Sequence, residues 1–153
     1  LNFNDQHKYK VLIFHENLGV AQRNLILANT RSKVTLHRVS WRIPAFLDAD
    51  YVPRWYKGYS LGFRHMIRFV AMKMFEHLAL TKYDYYWRLD SDSFLISRVH
   101  VDPIAFMRKN DYKFGFIATT TEKPEFTADL WELHEAHRRN LGLVSEWFSG
   151  SWN

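Results

Sequence analysis

The chain of 153 residues contains no cysteine. A disulfide framework and a thiolate metal site are thereby excluded. A reducing compartment fits this absence, and so does a luminal domain built without cystines. No apolar run reaches the roughly 18 residues of a membrane span. No signal-peptide pattern and no initiating Met open the chain. Leu1 and the end at Ser151-Trp152-Asn153 read as cuts in a longer protein, leaving room for an anchor or targeting segment outside it. Walker A, Gly-x-Gly-x-x-Gly and Gly-x-Ser-x-Gly sequences are all missing, which weighs against P-loop, dinucleotide and α/β-hydrolase functions. There is also no run of five basic residues, although 21 Lys and Arg against 16 Asp and Glu give a formal charge of +5. That excess favours anionic partners. Its scatter is that of a solvated surface, not of a basic tail for nucleic acid.

What remains is ordinary globular composition, 47% hydrophobic and 24% charged, in a length that suits one domain. Aromatic residues reach 17%, enough to suggest surfaces that stack on flat or ring-shaped ligands. Val11-Leu12-Ile13-Phe14 reads as a strand buried on both faces. A helix over 20–30 follows, then a strand through Val34, Leu36 and Val39. This order is that of an α/β fold. Residues 40–60 are irregular, broken by Pro44 and Pro53 and crowded with Trp41, Phe46, Tyr51, Trp55, Tyr56 and Tyr59. Phe63, Met66, Ile67, Val70, Met74 and Leu78 keep helical spacing, predicting a helix over 62–80 with Ser60 as its cap. Strands are expected at 83–89, with Tyr85, Trp87 and Leu89 on one side, and at 112–118. Helices are expected over 103–109, opened by Pro103, and over 126–140. No repeat and no linker divides the chain.

The residues that could carry chemistry gather at strand ends. Asp90-Ser91-Asp92 offers two carboxylates that can aim at one Mn²⁺ or Mg²⁺, as hard oxygen ligands do. The competing reading is a turn capped by Asp and Ser side chains. An EF-hand loop fails, because counting from Asp90 its sixth and twelfth positions hold Leu95 and Val101 instead of Gly and Glu. A haloacid-dehalogenase-like phosphatase would use Asp90 as nucleophile, and Asp90-Ser91-Asp92-Ser93-Phe94 partly fits it. Arg64 and Arg68 share a helix face near an N-terminus, where they can meet a diphosphate or simply face water. His15 and Glu16 follow the first strand, where α/β folds bind nucleotides. The alternative there is a plain strand-to-helix turn. His134 and His137 lie three apart on the last helix, which favours a surface position over zinc.

Several blocks occur in a telling order. Arg64-His65-Met66-Ile67-Arg68-Phe69 is followed by Tyr83-Asp84-Tyr85-Tyr86-Trp87-Arg88-Leu89-Asp90-Ser91-Asp92. Then come Val101-Asp102-Pro103-Ile104-Ala105-Phe106-Met107, Tyr112-Lys113-Phe114-Gly115-Phe116 and Thr127-Ala128-Asp129-Leu130-Trp131. Upstream, Trp41, Pro44, Phe46 and Asp48 echo a Trp-x-x-Pro-x-x-(Ile/Leu)-Asp pattern. This order resembles the catalytic domain of the fungal α-1,2-mannosyltransferases, glycosyltransferase family 15. The resemblance implies a GT-A type nucleotide-diphospho-sugar fold, a Rossmann-like mixed sheet flanked by helices. It implies Mn²⁺ (or Mg²⁺), GDP-mannose as donor, transfer with retention to a mannose-containing glycan on glycoprotein or glycolipid, and a Golgi lumen reached through a type II anchor outside this chain.

Carried onto this sequence, the family's metal-binding Glu falls on Asp90, and Ser91 replaces the following Pro. On the transferase reading Asp92 is a second metal ligand or binds through water, Arg88 orients Asp90 from the strand, Arg64 and Arg68 are candidates for the diphosphate, and Phe14, His15 and Glu16 are candidates for the nucleotide pocket. The segment carrying the family's proposed nucleophile and a later metal-binding His should lie beyond Asn153. Residues 1–153 are thus expected to be a single, partial domain, the nucleotide-sugar-binding half. Glu146 is a local carboxylate that nothing in the sequence singles out as a substitute nucleophile. A non-catalytic carbohydrate or polyanion binder is the third reading.

Overall fold

The computed structural model describes residues 2–142. Its contacts divide the chain into two compact units, Leu1–Lys113 and Phe114–Asn153.

The first unit is built on a strand–helix–strand motif. The run Val11–His15 (β1), apolar through Phe14, pairs in parallel with Val34–Arg38 (β2), in a register from Val11↔Val34 to His15↔Arg38. Parallel strands need a crossover, and the helix Val20–Ala28, which follows the short α1 (Asn4–His7), supplies it as α2. The strand–helix–strand expectation therefore holds. Full burial does not: every β1 residue is only half-buried, because this sheet has two strands. The architecture is mixed α/β with small sheets.

Within residues 40–60 the chain forms a 3-10 turn, Ala49–Tyr51, and a hairpin of Trp55–Tyr56 (β3) with Tyr59–Ser60 (β4). Lys57 and Gly58 both have positive φ, 48° and 84°, as a two-residue hairpin turn of the primed type requires. Ser60 then caps α3 (Leu61–Ala71), its Oγ accepting the Phe63 N–H at 3.1 Å. The helix expected to run to 80 stops at Ala71. Met72 leaves helical geometry at φ −133°, and a 3-10 turn, Lys73–Glu76, follows. Apolar spacing cannot distinguish these two courses, since the tighter turn still carries Met74 inward while Leu78 is left exposed.

Met74 joins Val39 and Phe69 in the core, with Phe14, Trp41, Val70 and Leu80 around them. Phe69 stands at the centre, its ring 5.2 Å from Phe14 and 5.5 Å from Trp41. A smaller cluster forms on buried Phe3, whose ring meets His7 at 4.5 Å and the edge of Trp87 at 5.2 Å. That contact docks the segment expected as strand 83–89. The segment keeps a strand's alternation, with Tyr83, Tyr85 and Trp87 half-buried and Asp84, Tyr86 and Arg88 exposed. It forms no ladder among the described residues, and Leu89 is exposed, against expectation. A strand needs a partner as well as a pattern. The expected strand 112–118 is likewise absent, its residues lying exposed without pairing.

Pro103–Lys109 (α4) matches expectation. The described part of the second unit holds Pro124–Thr127 (α5) and Leu130–Asn140 (α6). One helix was expected over 126–140; Asp129, at φ 59°, interrupts it with a left-handed residue.

Candidate functional site

The C-terminal ends of β1 and β2 and the start of α2 enclose an open cleft of about 760 Å³. The β1 end contributes His15 and Glu16, the turn after it Asn17 and Gly19, α2 Arg23, and β2 Leu36 and Arg38. This is where parallel α/β units present their ligand-binding ends. His15 is held in place by its own ring: Nδ1 accepts the Leu18 amide at 3.1 Å, which keeps the proton of the neutral imidazole on Nε2. Arg38 donates from Nε to the Glu16 carbonyl at 3.3 Å, so the ends of both strands are tied across the cleft floor.

The N-cap of α2 is Gly19, which carries no oxygen to cap the first-turn amides. A Cβ there would meet only ordinary contact, with Gln22 Oε1 at 3.6 Å, so space does not demand glycine. What glycine contributes is the missing acceptor. The helix starts with open N–H groups, the arrangement that binds anions. Two arginines against one glutamate give the walls a positive balance. Sequence reasoning placed His15 and Glu16 here but missed Arg23 and Arg38. They stand apart in sequence, and only strand pairing and the helix return bring them together.

The other candidates lie elsewhere, and none of them lines this cleft. Arg64 donates from Nη2 to the Pro53 carbonyl, and Arg68 from Nη1 to the Arg42 carbonyl at 3.3 Å. Both side chains fasten the irregular 41–60 stretch to α3, an arrangement reinforced by Leu61 N–H donating to the Arg54 carbonyl at 2.7 Å. Asp90 opens a tight turn, its carbonyl accepting the Ser93 amide at 3.0 Å. Its Oδ1 receives Arg88 Nη2 at 2.6 Å. Asp90 is 58% exposed and Asp92 is exposed beside it.

Among the described residues no three His, Asp or Glu side chains gather as a metal cage. Two carboxylates in one exposed turn still offer hard oxygen donors of the kind Mn²⁺ and Mg²⁺ take, and such ions complete their shells with phosphate oxygens and water. The donor set therefore fits the ion in chemistry. On α6, His134 lies 3.8 Å from Glu135 and against Trp131. Glu146 lies outside the described residues.

The chain matches the family described as glycolipid 2-alpha-mannosyltransferase over residues 2–149. It is 33% identical over 100 residues to the O-glycoside alpha-1,2-mannosyltransferase omh1 of Schizosaccharomyces pombe, covering 60% of this chain and 26% of that protein. It is 29% identical over 110 residues to the probable mannosyltransferase KTR3 of Saccharomyces cerevisiae, covering 64% of this chain and 26% of that protein. A longer alignment, to the S. pombe O-glycoside alpha-1,2-mannosyltransferase homolog 2, is 25% identical and covers 95% of this chain and 44% of that protein. The chain thus spans between a quarter and less than half of the length of these relatives. No solved structure matches it.

Proposed function

Because the chain belongs to the glycolipid 2-alpha-mannosyltransferase family, we propose that it is the donor-binding part of a GT-A type mannosyltransferase. The transfer is of mannose from GDP-mannose to a mannose-containing glycan, with retention and with Mn²⁺ or Mg²⁺. The observation that carries this reading is the cleft over β1, β2 and the open start of α2, in a chain of that family. The α2 amides, Arg23 and Arg38 hold the diphosphate by charge and hydrogen bonding. His15 Nε2–H and the Glu16 carboxylate reach the nucleoside. Asp90 and Asp92 hold the divalent ion, with Arg88 as the positioning residue. Held there, a divalent ion would supply Lewis-acid stabilisation to a departing diphosphate. Arg64 and Arg68 donate to the Pro53 and Arg42 carbonyls, and their part is to hold the neighbouring loop. A Golgi lumen setting belongs to the same proposal; no described helix is long and apolar enough to cross a membrane. The phosphatase reading loses ground, since the relatives are mannosyltransferases.

Calorimetric titration of GDP and GDP-mannose, with and without Mn²⁺, tests this on the wild type, Arg38→Ala and Asp90→Ala. Binding should need the cation in the wild type, be lost in Asp90→Ala, and weaken about tenfold or more in Arg38→Ala. Equal affinity in all three proteins would overturn the site assignment. Phosphate release from simple esters without nucleotide would restore the phosphatase reading.

A further inference from the structure

Behind the cleft, three histidine and phenylalanine rings close around a fourth. His77 follows the Lys73–Glu76 turn and presents its ring edge-on to Phe14 at 4.8 Å, His37 at 5.7 Å and Phe69 at 6.3 Å. Those partners come from β1, β2 and α3, so one half-buried imidazole joins every element of the core. Its Nδ1 accepts the Ala79 amide at 3.1 Å. A neutral ring with its proton on Nε2 satisfies that bond. A protonated ring does not, because Nδ1–H would then face the Ala79 N–H, donor against donor.

Nothing in the cluster compensates a positive charge. Phe14 from β1 and Phe69 from α3 do not titrate. The titratable group facing His77 from β2 is His37, whose Nε2 lies 3.1 Å from Thr35 Oγ1. On the ring's own turn, Lys73 and Glu76 are exposed and pair with each other at 3.1 Å. His37 sits between Leu36 and Arg38, both of which line the cleft, and its strand partner Phe14 precedes His15.

We propose that His77 and His37 form a proton-operated latch on the side of the sheet behind the cleft, closed while the His77 ring is neutral and released when His77 takes up a proton. Release frees the Lys73–Glu76 turn from Phe14 and His37, and the β1 and β2 ends that shape the cleft lose their support. Burial, and secondly the neighbouring His37, push the His77 pKa below the usual histidine value. The latch is therefore closed at neutral pH and opens as the pH falls through that depressed value. Its effect on a nucleotide sugar rests on the donor-site reading above; the latch itself does not.

Imidazole and amide NMR titration of the 153-residue chain from pH 8 to 5 tests it without ligand. His77 should titrate below about 6.5, and the Leu36 and Arg38 amides should shift with the same midpoint. His77→Gln should abolish that shared transition. A His77 midpoint at or above the usual value, or amide shifts that persist in His77→Gln, would overturn the latch. If the variant does not fold, the wild-type titration decides alone. In a second arm, GDP affinity of the wild type should fall about fivefold from pH 7.5 to 5.5, and that of His77→Gln less than twofold. GDP binding at neither pH would sink the donor-site reading, while the latch stands or falls on the ligand-free titration.

Discussion

Removing the Asp102 carboxylate should take four polar contacts from the first unit at once. Asp102 caps α4, its Oδ1 accepting the Ile104 and Ala105 amides at 3.0 and 3.1 Å. Its Oδ2 accepts the Tyr9 hydroxyl at 2.7 Å and lies 3.3 Å from His7 Nδ1. The side chain is 18% exposed, so water replaces these partners poorly. Loss of an N-cap costs about 1 kcal/mol, and loss of a hydrogen bond to a charged group about 1.5–3 kcal/mol. Asp102→Ala should therefore lose about 3 kcal/mol, against a total of about 5–15 kcal/mol for a domain. Asp102→Asn keeps a competent cap and should fall between the wild type and the alanine variant. Urea denaturation reads this as a lower midpoint at unchanged slope. A loss under about 1 kcal/mol in Asp102→Ala would refute the reasoning.

The same group sets a pH signature. Burial raises the Asp102 carboxyl, but the Tyr9 hydroxyl, the Ala105 amide, the His7 charge and the Ile104 amide outweigh it, so its pKa lies below the usual value. Its stabilisation is thus complete above about pH 4 and is lost as the pH falls through the depressed value. Asp102→Asn should lack this part of the acid sensitivity.

Tyr9 gives the alkaline counterpart. Its hydrogen bond to Asp102, followed by burial and the carboxylate charge, raises its pKa, so its stabilisation should hold to about pH 10 and vanish as the pH rises through the raised value; Tyr9→Phe should show no such loss in a high-pH melting series. Phe69→Ala should destabilise by about 3–5 kcal/mol in denaturant unfolding, since it empties the centre of the Val39–Met74 core. Arg64→Ala should expose residues 41–60 to limited proteolysis with little change in GDP affinity, and a tenfold loss of GDP affinity would instead assign Arg64 to the diphosphate. Gly58→Ala should cost about 1 kcal/mol in thermal or urea unfolding, because φ 84° strains any residue with a Cβ.

Local chemistry was legible in the sequence wherever it was sufficient by itself. The Ser60 cap and the Asp102-Pro103 start each specify an element through nearest neighbours and appear as read, while the Val11 run forms its strand but half-buried where burial on both faces was expected. The block order from Arg64 to Trp131 also sufficed to identify the family, because a family signature resides in the order of side chains. Tertiary structure decided the rest. Residues 83–89 have a strand's alternation, but a ladder needs a second backbone, and the segment docks through Trp87 on Phe3 instead. The apolar spacing beyond Ala71 fits an α-helix and a 3-10 turn equally, and the core chose the turn that buries Met74. Arg23 and Arg38 share a cleft with His15 and Glu16 only through the parallel register and the return of α2. No spacing along a chain reports which residues a crossover will bring face to face.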